Sequence, residues 1–179
     1  MHPYSISVFN HNDLTGNLIH SILKLIHTTW PSTYEEAHTS QVFPEINKVS
    51  SVFEKHLICF EGAKVVGYAK VFERIIFIDT LHIRNLALAS LCVDPPHQQK
   101  GCGSLLAQKA FSFVDSKEFD CAIFQTSRKQ FYERLNCRKV SDKCFDTSHS
   151  QKNWWDEHIM LYPSSFEISG PIQMNGPAY

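Results

Sequence analysis

The hydrophobic and polar positions of the chain change period several times, and each change predicts a new secondary-structure element. Ser5 to Asn10 alternates between apolar and polar residues, which predicts a short strand with one buried face. The apolar residues from Leu18 to Ile26 then recur at helical spacing, and either Asp13 or Thr15 can cap the predicted helix. A second helical region, from Tyr34 to about Phe53, is less regular and is broken by a proline.

The middle of the chain is dominated by apolar runs that predict strands. The turn residues Glu61-Gly62-Ala63-Lys64 separate the first two runs, so these runs are predicted to form a hairpin. The predicted strands are His56 to Glu61, Val65 to Ile78 and His82 to Val93.

The second half of the chain alternates helices and strands. A polar loop after Val93 contains Gly101 and Gly103 and opens a helix whose apolar residues share one face. The further predicted elements are a buried strand at Cys121 to Gln125, a brief helix that carries Phe131 and Leu135, strands at Arg138 to Val140 and His158 to Tyr162, a polar loop at Ser141 to Asn153 and an irregular tail from Pro163 to Tyr179. This order predicts an α/β (α+β) fold in which helices flank a mixed, mostly antiparallel central sheet. No repeat or linker divides residues 1–179, so one domain is expected.

Composition narrows the choice of partners. The 17 basic and 18 acidic residues leave a formal net charge of −1, which argues against nucleic acid as the main partner. No apolar stretch approaches the roughly 20 residues of a membrane span, and the N-terminus lacks the pattern of a signal peptide. We therefore expect a cytoplasmic protein that binds neither nucleic acid nor membrane, as a monomer or a homodimer.

The cysteines and histidines give no signal for a metal site. The six cysteines are scattered without a C-x-x-C pair and indicate reduced, mostly buried thiols. The ten histidines form no H-E-x-x-H motif, so hydrogen-bonded or solvated surface histidines are expected. The sequence therefore predicts no metal.

The segment from Val93 to Ser104 is the strongest candidate site. A strand, a glycine loop and a helix start present unpaired N–H groups to a phosphate, and the helix dipole favours its negative charge. The P-loop signature does not fit, because Ser104 and Leu105 follow the last glycine where Lys and then Ser or Thr are needed. The dinucleotide fingerprint fails as well, because position 106 is Leu rather than Gly.

The loop Gln98-Gln99-Lys100-Gly101-Cys102-Gly103, following Val93-Asp94-Pro95, resembles the acetyl-coenzyme A loop of the GNAT N-acetyltransferase superfamily. The resemblance implies the GNAT acyl-CoA N-acyltransferase fold, with acetyl-CoA as the cosubstrate. It also implies that backbone groups at the strand end hold the pantetheine arm and that loop N–H groups hold the pyrophosphate. The cofactor-binding residues implied in this way are Leu91, Cys92, Val93, Gln98, Gln99, Lys100, Gly101, Cys102, Gly103 and Ser104.

A second motif, Phe131-Tyr132-Glu133-Arg134-Leu135-Asn136-Cys137, is similar to the GNAT segment Phe-Tyr-Glu-Lys-Leu-Gly-Phe. By this match Tyr132 is the candidate general acid, whose phenol protonates the coenzyme A thiolate. Asn136 replaces the family's Gly, and Asn is the next best residue for a left-handed position that closes a helix.

The resemblance does not identify a general base. Many relatives carry a Glu four residues before the Val of the loop motif, and here Ala89 occupies that position. The remaining candidates are His56, His82, Glu73, Asp156 or a chain of water molecules, and the sequence does not choose among them. A substrate that arrives neutral, or an absence of catalysis, is also compatible with the sequence.

The last residues, 169–179, look like the short C-terminal tail, closing in an aromatic residue, of the aminoglycoside 2'-N-acetyltransferases. In that branch the terminal carboxylate reaches the acceptor cleft, which would suit a polyamine or amino sugar. The candidate acceptor residues are then Trp30, Tyr34, Glu35, Asp156 and Tyr179. The Asn-Gly-Pro near the end is also similar to the nodulation acyltransferases, which move a longer acyl group. The alternative is a frayed tail beside a solvated acidic surface.

The resemblance therefore implies an enzyme that passes acetyl from acetyl-CoA directly to a primary amine of a small molecule. Two alternatives stay open. One is a non-catalytic module that binds or senses acetyl-CoA, and the other is acetylation of protein lysines or N-termini.

Overall fold

The computed structural model describes residues 3–31, 52–78, 80–140, 144–146, 158–168, 170 and 172–174. These residues fall into two compact units. The first unit is Met1–Val71 with Ser90–Lys109, and the second is Phe72–Ala89 with Ala110–Tyr179. The predicted class, a mixed and mostly antiparallel sheet with helices, is confirmed.

The first unit is built on four neighbouring strand segments and helix α1 (Gly16–Thr29). Strand β1 (Tyr4–Phe9) pairs antiparallel with β2 (Glu54–Glu61), which places Phe9 opposite His56. Strand β3 (Lys64–Ile78) lies beside β2, and β4 (Leu81–Val93) lies beside β3. Gly62 has a φ of 57°, so the predicted glycine turn between β2 and β3 is confirmed.

Helix α1 begins where the sequence offers a cap. The side chain of Thr15 accepts a hydrogen bond from the Leu18 N–H at 3.4 Å, so Thr15 rather than Asp13 is the cap. Asp13 instead closes a short 3-10 turn, His11–Asp13, that follows β1. The apolar face of the helix packs on the sheet of the first unit, in a cluster formed by Ile22, Leu25, Ile26, Ile58, Tyr68 and Cys92.

The second unit contains parts of β3 and β4 together with the C-terminal strands. Their order is β3, β4, β5 (Cys121–Thr126), β8 (His158–Tyr162) and β6 (Arg138–Lys139). Two further strands, β7 (Cys144–Asp146) and β9 (Ile172–Met174), pair parallel with each other, and β9 also pairs antiparallel with β3. The core of this unit is formed by Ile76, Ile78, Cys121, Ile123, Val140, Leu161 and Ile172.

Two further helices lie in the described part of the chain. Helix α2 (Cys102–Asp115) starts in the first unit, and its last residues belong to the second. Helix α3 (Lys129–Glu133) is a short element of the second unit, where the Thr126 hydroxyl accepts a hydrogen bond from the Arg128 N–H at 2.9 Å. None of the helices in the described ranges is long and apolar enough to cross a membrane.

Two segments that were predicted to be irregular contain strands. Cys144–Asp146 was expected in a polar loop and Ile172–Met174 in an irregular tail, and both are strands. Each strand is only three residues long and is held by pairing with its partner strand. Three residues are too few to show the alternation of apolar and polar positions that predicts a strand. The predicted helical region that starts at Tyr34 lies almost wholly in 32–51, outside the described residues.

Candidate functional site

The end of strand β4 is held firmly in the first unit. Cys92 and Val93 are buried and Leu91 is half-buried. The N–H of Asp94, directly after the strand, donates to the carbonyl of Val66 on β3 at 2.9 Å. Ser90 has a φ of 53°, a left-handed conformation inside the strand that interrupts the regular extended backbone.

The polar turn after β4 is tied back to the sheet by side chains. Lys64 forms an ion pair with Asp94, with 2.8 Å between Nζ and Oδ2. His97 is buried at the end of a 3-10 turn, and its Nδ1 lies 3.4 Å from the hydroxyl of Tyr4 on β1. The chain therefore enters the glycine loop from a fixed position.

The loop itself turns through left-handed residues and ends at the start of a helix. Gln98 donates through Nε2 to the carbonyl of Val93 at 3.0 Å. Gln99 (φ 59°) and Gly101 (φ 92°) have positive φ angles, and Gln99 and Lys100 are exposed. Leu105 N–H donates to the Gly101 carbonyl, so the N–H groups of residues 102–104 precede the first helical hydrogen bond. The sequence predicts that these N–H groups bind a phosphate group.

Cys102, at the variable position of the loop motif, is a packing residue. Its side chain is buried against β3, where a Cβ on Gly67 would lie 2.7 Å from its Sγ and 2.9 Å from Leu106 Cδ1. A hydrogen bond with Cys59 and burial raise the pKa of the Cys102 thiol. A protonated, enclosed thiol is a poor nucleophile, so the Cys102 side chain is not expected to react.

Tyr132 lies on α3 in the second unit. Its side chain is buried, and its ring lies 4.6 Å from the ring of Phe124 and 4.8 Å from that of Phe131. Asn136, shortly after the helix, has a φ of 63°, so the predicted left-handed position is confirmed. Asn136 also contacts the turn after β8, because the Ser164 N–H donates to its backbone carbonyl at 2.8 Å. The packing fixes Tyr132, while its role as an acid stays a prediction.

The structure describes three of the four side chains that the sequence offers as a base. Glu73 is paired with Arg84, with 3.0 Å between Oε1 and Nε. His82 is exposed and packs its ring edge-on against Phe77. His56 is fully buried, which corrects the expectation that the histidines are surface residues. Asp156 lies outside the described residues.

His56 belongs to a buried polar cluster that the sequence did not reveal. Glu54 Oε1 lies 3.2 Å from His56 Nε2 and 3.7 Å from His11 Nδ1. Lys70 Nζ lies 3.5 Å from the other carboxylate oxygen of Glu54. The only local signal is Glu54-x-His56, since alternate residues of a strand share one face.

Of the candidate acceptor residues, the structure describes Trp30. Trp30 ends α1, is half-buried and packs against the apolar cluster of the first unit. Tyr34, Glu35, Asp156 and Tyr179 lie outside the described residues.

Comparison with known sequences gives one family. The model of the Acetyltransferase (GNAT) family matches residues 19–136, about two thirds of the chain. No curated protein sequence matches.

Solved structures share the fold at low sequence identity. The GNAT family N-acetyltransferase YhbS from Escherichia coli, in complex with CoA, has a TM-score of 0.66 at 12% identity, over 96% of this chain and 89% of its own. A GNAT family acetyltransferase from Brucella melitensis, in complex with acetyl-CoA, has a TM-score of 0.65 at 11% identity, over 99% of this chain and 98% of its own. The GCN5-related N-acetyltransferase from Kribbella flavida has a TM-score of 0.61 at 13% identity, and 76% of this chain covers only 34% of that protein.

Proposed function

Because the chain belongs to the Acetyltransferase (GNAT) family, we propose that it transfers an acetyl group from acetyl-CoA to a primary amine of a small molecule. The observation that carries the proposal is the glycine loop. Its left-handed turn at Gln99 and Gly101 leads into the N–H groups of residues 102–104, which precede the first helical hydrogen bond of α2. Similar structures from Escherichia coli and Brucella melitensis were solved with CoA and acetyl-CoA, which supports the same ligand here.

The loop supplies what a pyrophosphate needs. The N–H groups of residues 102–104 and the helix dipole favour its negative charge, and exposed Lys100 adds a cation at the rim. The glycine at 101 allows the backbone to turn without strain. We propose that the backbone of Leu91, Cys92 and Val93 holds the pantetheine arm and that Gln98 to Ser104 holds the pyrophosphate.

The reaction requires two proton movements. The amine nitrogen attacks the thioester carbon, an N–C bond forms, the C–S bond breaks, and the nitrogen loses the proton that the departing sulfur must gain. We propose that Tyr132 donates the proton to the sulfur. Glu73 is engaged by Arg84 and His56 is fully buried, so we propose that the amine loses its proton through water.

We propose a small cationic acceptor such as an aminoglycoside, an amino sugar or a polyamine. Trp30, at the C-terminal end of α1, is the candidate wall of that site within the described residues. The proposed contacts from Tyr34, Glu35, Asp156 and Tyr179 require a test by substitution.

The second candidate is a module that binds acetyl-CoA without catalysis. It is favoured by Ala89, an apolar residue at the position where many relatives carry their base. The two proposals share the cofactor and differ only in turnover.

The test has two stages. Isothermal calorimetry with acetyl-CoA measures binding, and an absence of binding at millimolar concentration would contradict both proposals. A thiol-release assay then presents aminoglycosides, polyamines, amino acids and peptides with acetyl-CoA. Release that depends on a small amine supports the transferase, whereas binding without acceptor-dependent thiol supports the non-catalytic module. Release with peptides alone would assign protein acetylation instead.

A further inference from the structure

We propose that His11, Glu54 and His56 form a binding site for a divalent metal ion of the zinc class. His11 follows β1, and Glu54 and His56 lie on one face of β2, so the pairing of the two strands brings the three side chains together. Their ligand atoms all lie within 4.8 Å of one another. The inference does not depend on the proposed acetyl transfer.

The distances from Glu54 to the two histidines are close to those of a metal site. Glu54 Oε1 is 3.2 Å from His56 Nε2 and 3.7 Å from His11 Nδ1. Zinc bonds of about 2.0–2.2 Å place the ligand atoms of a tetrahedral site about 3.3–3.6 Å apart. The three atoms can therefore reach one ion with small movements.

The two imidazole nitrogens approach the carboxylate without bonding to it. In the described part of the chain, His11 Nδ1 and His56 Nε2 are both buried and neither makes a hydrogen bond. A buried ring nitrogen without a hydrogen bond is costly, because its solvation by water is lost. A cation placed between the two nitrogens and the carboxylate would give both nitrogens a partner at once.

The orientation of His56 also suits a metal ligand. Its Nδ1 is hydrogen-bonded to the hydroxyl of Tyr68 at 2.8 Å, and the two rings stack with centroids 6.0 Å apart. A histidine that binds metal through one nitrogen is usually fixed by a hydrogen bond through the other. Tyr68 is buried and belongs to the core of the first unit, so the ring of His56 is fixed on a rigid element.

Lys70 sets how Glu54 can bind. Its Nζ lies 3.5 Å from Oε2, the carboxylate oxygen that does not face the histidines. Glu54 would therefore offer the metal one oxygen rather than two. The ammonium charge also repels a nearby cation, so Lys70 lowers the affinity of the site.

The ligand set indicates which ions fit. Two imidazoles and one carboxylate favour zinc, cobalt, nickel or iron over magnesium and calcium, which prefer oxygen ligands. Three protein ligands leave a fourth position for water. The His11 side chain is 18% exposed while those of Glu54 and His56 are 2% and 0% exposed, so an ion would enter from the His11 side.

The experiment titrates EDTA-treated protein with zinc chloride in a calorimeter and follows the melting temperature in parallel. We expect one equivalent of zinc to bind and to raise the melting temperature. His11→Ala changes the most exposed ligand and should weaken binding at least about tenfold. His20→Ala, on the exposed face of α1, is the matched control and should bind as the wild type does.

Two further variants make the test independent of folding defects. Circular dichroism first identifies the variants that fold. Glu54→Gln should weaken binding, whereas Lys70→Met should tighten it several-fold, a gain that a merely damaged protein would not show. Cobalt(II) should give a visible spectrum without a thiolate charge-transfer band. Absence of stoichiometric zinc binding, wild-type affinity in His11→Ala, or a thiolate band would overturn the proposal.

Discussion

The side-chain amide of Gln98 donates a hydrogen bond of 3.0 Å to the backbone carbonyl of Val93, and so closes the glycine loop onto the strand that precedes it. A bond of this kind contributes about 0.5–1.5 kcal/mol. Gln98→Ala should leave the fold intact, loosen the loop and raise the dissociation constant for acetyl-CoA by about threefold to tenfold.

Calorimetry with acetyl-CoA measures this effect. The matched control is Gln108→Ala, which changes an exposed glutamine further along α2 and should bind as the wild type does. Equal affinity in both variants would show that the Gln98 bond does not preorganise the site.

Gly67 fixes how closely α2 approaches β3. A methyl group at this position would lie 2.7 Å from Cys102 Sγ and 2.9 Å from Leu106 Cδ1, so Gly67→Ala should destabilise the protein by about 1–3 kcal/mol in urea unfolding. Gly16→Ala is the matched control, because nothing lies within 4 Å of its added methyl group.

The double variant Gly67→Ala with Cys102→Ala separates crowding from other causes. Removing the Cys102 sulfur should restore part of the stability lost at Gly67, so the two changes should be non-additive. Strict additivity would mean that the cost arises elsewhere.

Tyr132→Phe removes only the phenol oxygen and keeps the ring that packs against Phe124 and Phe131. If Tyr132 protonates the departing sulfur, turnover should fall by about 100-fold while acetyl-CoA affinity changes little. Steady-state kinetics and calorimetry on the same preparation measure both quantities.

The control for this variant is another tyrosine of the second unit. The Tyr162 hydroxyl donates to Asp115 at 2.7 Å, and Tyr162→Phe removes that bond without touching the motif. Tyr162→Phe should keep its turnover. If Tyr132→Phe also does so, Tyr132 has no part in the chemistry.

Buried thiols give the protein a dependence on alkaline pH. Burial raises the pKa of Cys92, Cys121 and Cys137 to about 12, against an ordinary value of 9.0. The folded state therefore holds these thiols neutral where the unfolded state ionises them. Their contribution to stability should be complete below pH 9 and should fall as the pH rises toward 12.

Urea unfolding from pH 8 to pH 11 measures this decline, with the range chosen to bracket the ordinary thiol pKa of about 8.5–9. Cys137→Ala removes one of the three groups and should flatten the decline. In parallel, a thiol reagent should label the native protein slowly and the unfolded protein completely. Fast labelling of all three thiols in the native state would contradict the assignment.

Local chemistry explains the features that the sequence predicts well. The Thr15 cap, the turn at Gly62 and the left-handed Asn136 each follow from one residue and its immediate neighbours. The glycine loop belongs to the same class, because its N–H groups are presented by a few consecutive residues.

Features that depend on pairing between distant segments could not be predicted. His11 and Glu54 are 43 positions apart in the sequence, and they meet because β1 pairs with β2. The three-residue strands β7 and β9 likewise exist through their pairing. Tyr132 could be found by motif, but its enclosure by aromatic rings could not.

The buried side chain of Asn85 lies where the parallel strands β4 and β5 pair. β4 and β5 are registered at two pairs within the second unit, Asn85 with Cys121 and Leu86 with Ala122. The next N–H on β5, that of Ile123, donates at 2.6 Å to the buried Asn85 side chain. A single side chain on one strand thus serves as the acceptor for a backbone donor of the neighbouring strand. An apolar residue at position 85 would remove that acceptor, so the chemistry of this one position reaches the backbone of β5.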